Sequence, residues 1–519
     1  MLFRKVMNQA IHPIAKALLA LVLIAAWVGV ALAQDPAAAQ TSVGQSSGGQ
    51  SPAGQSSGDP NAQGAAPAAT GLDTQTEMTE NPPVSGLDSP SFEPGLGARS
   101  FLVPKAQASE SVTSNPTAST SNQNGIGEIT RLMGSLDLQK LWKIHPLDIA
   151  YIGGASWFHT RNQGWYQVHS MAATQRILWR TGQLAIRDNF SYMPQGAFGF
   201  GSFGGVGGFG GLGGFGGGFG PGGGGFGSPT LGSNGNTPRI DNMGMVDITQ
   251  ALSPRSSVVL AGGYGILHFL NSPPGLLNSE MMISQVGYNY LLSRSNQIGV
   301  SYAFEEFHFP TANAGSLNLN LWQVYFAHRI SGRLDFTAGG GPQWIHINGF
   351  TPQLVITSSG PAIILVPLHT SRVSGAGRLG LNYRHSSRTS MALSYFHYVT
   401  PGSGFFPGAT SDVVRYSLNH QLTRRWSSNL DTGFSRSTRI LNPTLSNSAA
   451  GNSHTYDYWY AGGGVRRQFT RQFQGFATYQ YNRLLFGSGF CSSSHCSAGY
   501  GHHIGMIGVD WTPRPIRLD

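Results

Sequence analysis

The segment Val414-Arg415-Tyr416-Ser417-Leu418-Asn419 decides the fold. Val414, Tyr416 and Leu418 fall on one side of a chain with period two, and Arg415, Ser417 and Asn419 fall on the other. Side chains alternate in this way on a β-strand, so the segment reads as a strand with one apolar and one polar face. Ile298, Val300, Tyr302 and Phe304 alternate with Gln297, Gly299, Ser301 and Ala303 in the same manner. Phe473, Ala477, Tyr479 and Tyr481 do so with Gln474, Thr478, Gln480 and Asn482. The polar faces carry mostly Gly, Ser, Asn and Gln, which suits a wet interior better than a packed core.

Working outward from these strands, a repeat of turns appears. Short polar connections containing arginine recur at Arg180, Arg255, Arg294, Arg333, Arg388, Arg424 and Arg471. Two long strands flank each connection, and longer, irregular loops separate the pairs. With a strand before the first hairpin, around Ile149–His159, and one after the last, around Gly501–Trp511, the count reaches about sixteen. Strands of ~10 residues are long enough to cross a bilayer when tilted. An even count with short turns on one side and long loops on the other predicts an all-β fold, a transmembrane antiparallel up-and-down β-barrel. Aromatic residues gather toward the strand ends and suggest two girdles: Tyr290, Tyr383, Trp426, Phe473 and Trp511 by the short turns, and Tyr192, Phe269, Phe309 and Tyr481 by the long loops. A soluble propeller would need four short strands per repeat, whereas each repeat here holds two long ones.

The rest of the chain fits an exported protein. Only 11% of the 519 residues are charged, 11% are aromatic and 72 are glycine. Arg4, Lys5 and Lys16 precede an apolar run from Ala17 to Val30, and Ala31-Leu32-Ala33 supplies a small-x-small cleavage pattern, so residues 1–33 read as a signal peptide. Residues 34–125, rich in Gln, Ser, Gly, Ala and Pro, lack the apolar surface to offset ordering and read as a disordered periplasmic linker. Residues 126–146 read either as a short amphipathic helix, from the spacing of Ile129, Leu132, Met133, Leu136 and Leu141, or as a lead-in to the first strand. The barrel then spans residues 147–519, interrupted by a Gly/Phe-rich loop at 195–238 that lacks the Lys-Ser/Thr ending of a phosphate-binding loop.

Residues 147–511 resemble the porin-like outer-membrane β-barrel class of didermic bacteria. The alternating strands, the arginine-bearing short turns and the closing strand Gly505-Met506-Ile507-Gly508-Val509-Asp510-Trp511 carry the likeness. The resemblance implies insertion in the outer membrane, contact with its lipid, and handling by the barrel-assembly machinery. That machinery reads a C-terminal aromatic. Here Trp511 is the candidate, although Thr512–Asp519 follow it.

Arg187, Glu305, Asp335, Arg372, Arg378, Arg415, Asp431 and Asp457 fall on the inferred polar faces and are the candidate lumen-lining residues. They would pair across the lumen or form a mixed-charge constriction with mild anion preference. Cys491 and Cys496 are expected to form a disulfide, in preference to a metal site with the nearby His495, His502 and His503. His169, His328 and His397 show no nucleophile–base arrangement, so no catalytic residues, no metal and no cofactor are expected. The net charge of +9 comes from dispersed basic residues, which argues against nucleic acid as a partner. A homo-oligomer is compatible with the sequence. A passive channel for small hydrophilic solutes is the leading expectation, with a structural or adhesive surface anchor and a component of polysaccharide export as alternatives.

Overall fold

The computed structural model describes residues 100–114, 125–142, 144–159, 164–193, 239–270, 277–310, 315–357, 360–386, 388–400, 408–440, 455–487 and 499–518. The chain divides into two units, Met1–Ala66 and Pro67–Asp519, and all described residues belong to the second. The signal-peptide and linker assignments before residue 100, the Gly/Phe-rich loop and the Cys491–Cys496 pair lie outside the described residues.

Every described element is a strand, and no described helix is long and apolar enough to cross a membrane. The first five strands are β1 (Phe101–Thr113), β2 (Gly127–Lys140), β3 (Leu147–Phe158), β4 (Gly164–Trp179) and β5 (Gly182–Met193). There follow β6 (Arg239–Ser253), β7 (Ser256–Phe269), β8 (Ser279–Ser293), β9 (Asn296–His308), β10 (Ser316–Ser331) and β11 (Leu334–Thr357). Next come β12 (Gly360–Ser386), β13 (Thr389–Thr400), β14 (Ala409–His420), β15 (Trp426–Arg439), β16 (Thr455–Gln468), β17 (Phe473–Phe486) and β18 (Gly499–Trp511). A two-residue strand, β19 (Ile516–Arg517), borders β1. Each strand pairs antiparallel with its neighbours in sequence, and β1 pairs with β18 from Ala106↔Trp511 to Thr113↔Ile504, which closes the wall.

Among the described residues the barrel has eighteen full-length strands, not about sixteen. The strands expected from the sequence are β3 to β18; the two extra ones, β1 and β2, lie inside the segments read as linker and as helix or lead-in. The apparent helical spacing of Ile129, Leu132, Met133 and Leu136 arises because β2 is apolar on both faces. Ile129 and Met133 are buried inward, while Leu132 and Leu136 are exposed outward. β1 escapes notice because its inward face carries Gln107, Ser109, Ser111 and Thr113 and its outward face is short of large apolar groups. Its order comes from long-range pairing with β2 and β18, which no local pattern records.

The short turns share one device. The hydroxyls of Ser253, Ser331, Ser386 and Thr423 accept from the backbone N–H two residues on, at Arg255, Arg333, Arg388 and Arg425, each at 3.2 Å. This side-chain mimic of a backbone turn fixes the connection locally and leaves the arginine side chain outside the wall.

The outward face is apolar. Leu132, Trp165, Val300, Trp322, Val324, Leu393, Val414, Ile507 and Val509 are all exposed there. An exposed apolar surface running round a closed wall is stable only against lipid, so this is the architecture of a porin-like outer-membrane β-barrel. Tyr290, Tyr383, Trp426, Phe473 and Trp511 are exposed by the short turns. At the other end the expected girdle is corrected: Phe269 and Phe309 are buried at 1% exposure inside the wall. Trp157 and Trp165, with rings 5.0 Å apart, stand outward there instead.

Candidate functional site

The functional surface of a barrel is its inward face, and here that face has two zones. Toward the short turns it is polar. Arg187 meets Asp247 at 3.1 Å across β5 and β6. Arg415 Nη2 donates to Asp431 Oδ2 at 2.6 Å across β14 and β15. The Arg378 guanidinium lies 4.4 Å over the Tyr325 ring, and nearer the long-loop ends of β1 and β2 Arg131 donates to Ser111 at 2.7 Å. Tyr325 in turn donates to Gln323 and accepts from Ser301. These groups are largely buried, so the described wall offers water less polar surface than a wet interior would.

Toward the long loops the inward face of β6 to β11 is apolar. Met243, Met245, Leu267, Phe269, Met281, Ile283, Phe307, Phe309, Leu317, Leu319, Ile345 and Ile347 project from six adjacent strands, β6 to β11, and belong to one buried cluster. The cluster continues through Val399 and Ala409 to Tyr458, Phe486 and Ile504. Alternation with polar outward residues hides this zone from a reader who expects apolar side chains to face lipid.

The long-loop ends of β13 and β14 are buried as well. β13 stays with β12 only as far as Gly377↔His397, whereas β12 runs on with β11 to Thr357↔Gly360. Past that divergence Tyr398, Val399 and Thr400 are all buried, as are Gly408 and Ala409. Three consecutive buried residues on a strand mean that both faces are covered.

The expected lumen residues divide accordingly. Arg187, Arg378, Arg415 and Asp431 sit on the inward polar zone. Asp335 is the second residue of β11 and pairs with Arg329 at 2.9 Å at the short-turn rim. Arg372 lies opposite the inward Ile345 on the stretch of β12 that β13 has left, is exposed, and donates to Thr410 at 3.0 Å. Asp457 is corrected. In β16 the buried Tyr458 points inward, so Asp457 points outward, where Arg436 holds it with two hydrogen bonds of 2.7 and 2.8 Å. It belongs to a row in register across the outer wall, His397, Asp412, Arg436 and Asp457, with His397 and Asp412 2.7 Å apart. Glu305 is 1% exposed within the apolar zone, in electrostatic reach of Tyr325. Sequence reasoning missed Arg131, which lies in the misread β2, and Asp247. Asp247 continues the inward face of Met243 and Met245, so no polar–apolar alternation marks it.

Among the described residues no cluster of His, Cys, Asp and Glu has the arrangement of a metal site. No family model matches the chain, and no curated protein matches it. Among solved structures it is similar to the open form of the ferric-catecholate import receptor Fiu from E. coli K12, at 8% identity and TM-score 0.40, over 79% of this chain and 81% of that one. It is also similar to OccK2 (OpdF) from Pseudomonas aeruginosa, at 9% identity and TM-score 0.37, over 80% and 98% of the two chains. OpdK from the same organism, solved with vanillate, matches at 8% identity and TM-score 0.37 with the same coverage.

Proposed function

We propose that the protein is an outer-membrane channel that admits small hydrophilic solutes passively. The carrying observation is the inward polar zone, where ion pairs such as Arg187–Asp247 and Arg415–Asp431 are placed inside a closed wall whose outside is apolar. A barrel of this strand number encloses a passage unless side chains, loops or a plug fill it. The burial of the inward face supports a passage that is narrow for this strand number.

The burial of the inward face also supports a second reading, a filled barrel serving as an anchor for surface loops. Single-channel recording of purified protein in planar bilayers separates the two. The channel reading expects stable ohmic steps that are small for the strand number. A barrel that inserts and stays electrically silent at every voltage refutes it and leaves the anchor.

A further inference from the structure

Glu305 is an acidic group in an apolar wall. On β9 its neighbours along the inward face are Ala303 and Phe307; across the sheet it faces Ile283 on β8 and Leu319 on β10. All four are buried and carry no polar side-chain atom. The Glu305 Oε1 atom is itself buried and has no hydrogen-bond partner. A second orphan lies beside it. Gln285, diagonal to Glu305 through the pair Gln285↔Ala303, has a buried Oε1 that also lacks a partner. Diagonal neighbours on antiparallel strands have Cα atoms about 7–8 Å apart, a gap that one ammonium group can bridge.

Two buried acceptor atoms that no donor reaches are costly unless a donor arrives from elsewhere. The surroundings say what else that donor must carry. Ile283, Phe307 and Leu319 offer contact to a hydrocarbon or aromatic body, not to a hydrated ion. We propose that Glu305 and Gln285 form a binding site for amphipathic organic cations, namely primary ammonium compounds with an apolar body. The ammonium donates to Glu305 Oε1 and Gln285 Oε1, and the apolar body lies along the wall toward Phe307. The inference rests on the channel reading in that it names one class of solute the passage takes up. It also sets a cation-binding site within a lining that carries the ion pairs Arg187–Asp247 and Arg415–Asp431.

The test is calorimetric titration of the full barrel, refolded in detergent, with phenylethylammonium chloride at low salt. Phenylpropionate serves as the anion of similar shape, and heat-modifiable gel mobility verifies folding. One-to-one binding of the cation is expected, with no binding of the anion. Glu305→Gln should weaken the cation by about tenfold or more, since a hydrogen bond between two charged groups becomes one to a neutral amide oxygen. Gln285→Leu should weaken it by a smaller factor. Equal affinity in wild type and Glu305→Gln, binding of the anion as well, or no binding to folded wild type overturns the proposal. If Glu305→Gln does not fold, the cation–anion comparison and Gln285→Leu decide in the same way. Calorimetry needs no conductance. A silent barrel that binds the cation therefore refutes the channel alone, and a conducting barrel that ignores it refutes this site alone.

Discussion

Gly408 lies directly against Leu317. A Cβ placed on Gly408 would come within 2.7 Å of Leu317 Cδ1, although β14 and β10 are separated in the wall by β11, β12 and β13. Gly408 also holds a φ of 87°, in the left-handed region that glycine adopts without strain. Gly408, which precedes β14, is therefore fitted to the inward face of a distant part of the wall.

That fit predicts a gain of conductance. Gly408→Val should push the start of β14 off Leu317, widen the mouth and raise single-channel conductance, at a stability cost of about 1–3 kcal/mol. Combining it with Leu317→Ala should reduce the steric conflict and return conductance toward wild type. Unchanged conductance in folded Gly408→Val would show that this contact does not limit the passage.

The two faces of the wall can be told apart with one introduced charge. Val414 is exposed outward near the middle of β14, and Ser435, opposite Val413, faces inward on β15. Val414→Arg should cost about 2–4 kcal/mol in lipid vesicles, as a lipid-facing arginine near the midplane does. Ser435→Arg should cost less and shift reversal potentials toward anions. Equal cost would mean that the interior solvates a guanidinium no better than hydrocarbon.

The Arg415–Asp431 pair is a prediction about stability. Asp431 is 3% exposed, so Asp431→Asn would leave a guanidinium without its counter-charge and should cost about 3–5 kcal/mol. The double variant Arg415→Met, Asp431→Leu should recover most of that loss. Urea unfolding of the four proteins gives the coupling directly, and additive single effects would argue that the pair is already solvated.

How far the sequence announced all this depends on where order originates. The strands from β3 to β18 and the arginine turns were legible because alternation and turn chemistry are local. Val414, Tyr416 and Leu418 alternate with Arg415 and Ser417 whatever lies across the sheet. β1 and β2 were not, because small polar residues such as Ser109 and Ser111 become strand only through their partners on β2 and β18. Within the lumen, Arg415 and Asp431 were legible as polar residues opposite apolar ones. The apolar mouth was not, since Phe269 and Phe309 look like girdle residues until the facing of β7 and β9 is known. Asp457 was misread for the same reason: near a strand end both faces carry polar groups, and parity needs a buried reference such as Tyr458.

The N-terminal hairpin gives a further prediction. A chain lacking residues 1–140 would expose β3 and β18 as edges where β1 and β2 now pair. It should fail to give the compact, heat-modifiable band on cold gels that a chain starting at Ser100 gives. A compact band from the shorter chain would mean that β3 and β18 can close on each other.

The β1–β18 seam sets the tempo of assembly. Every other pairing between full-length strands joins neighbours in sequence, so loop closure there involves short connections or single loops. The seam alone brings together Thr113 and Ile504, across most of the described chain. Closure entropy grows with loop length, and non-local pairings are formed late and slowly. Seventeen ordered strands would still leave two open edges in search of each other. The time the chain spends as an unclosed sheet is governed by this one step, and an assembly catalyst would act there with most effect.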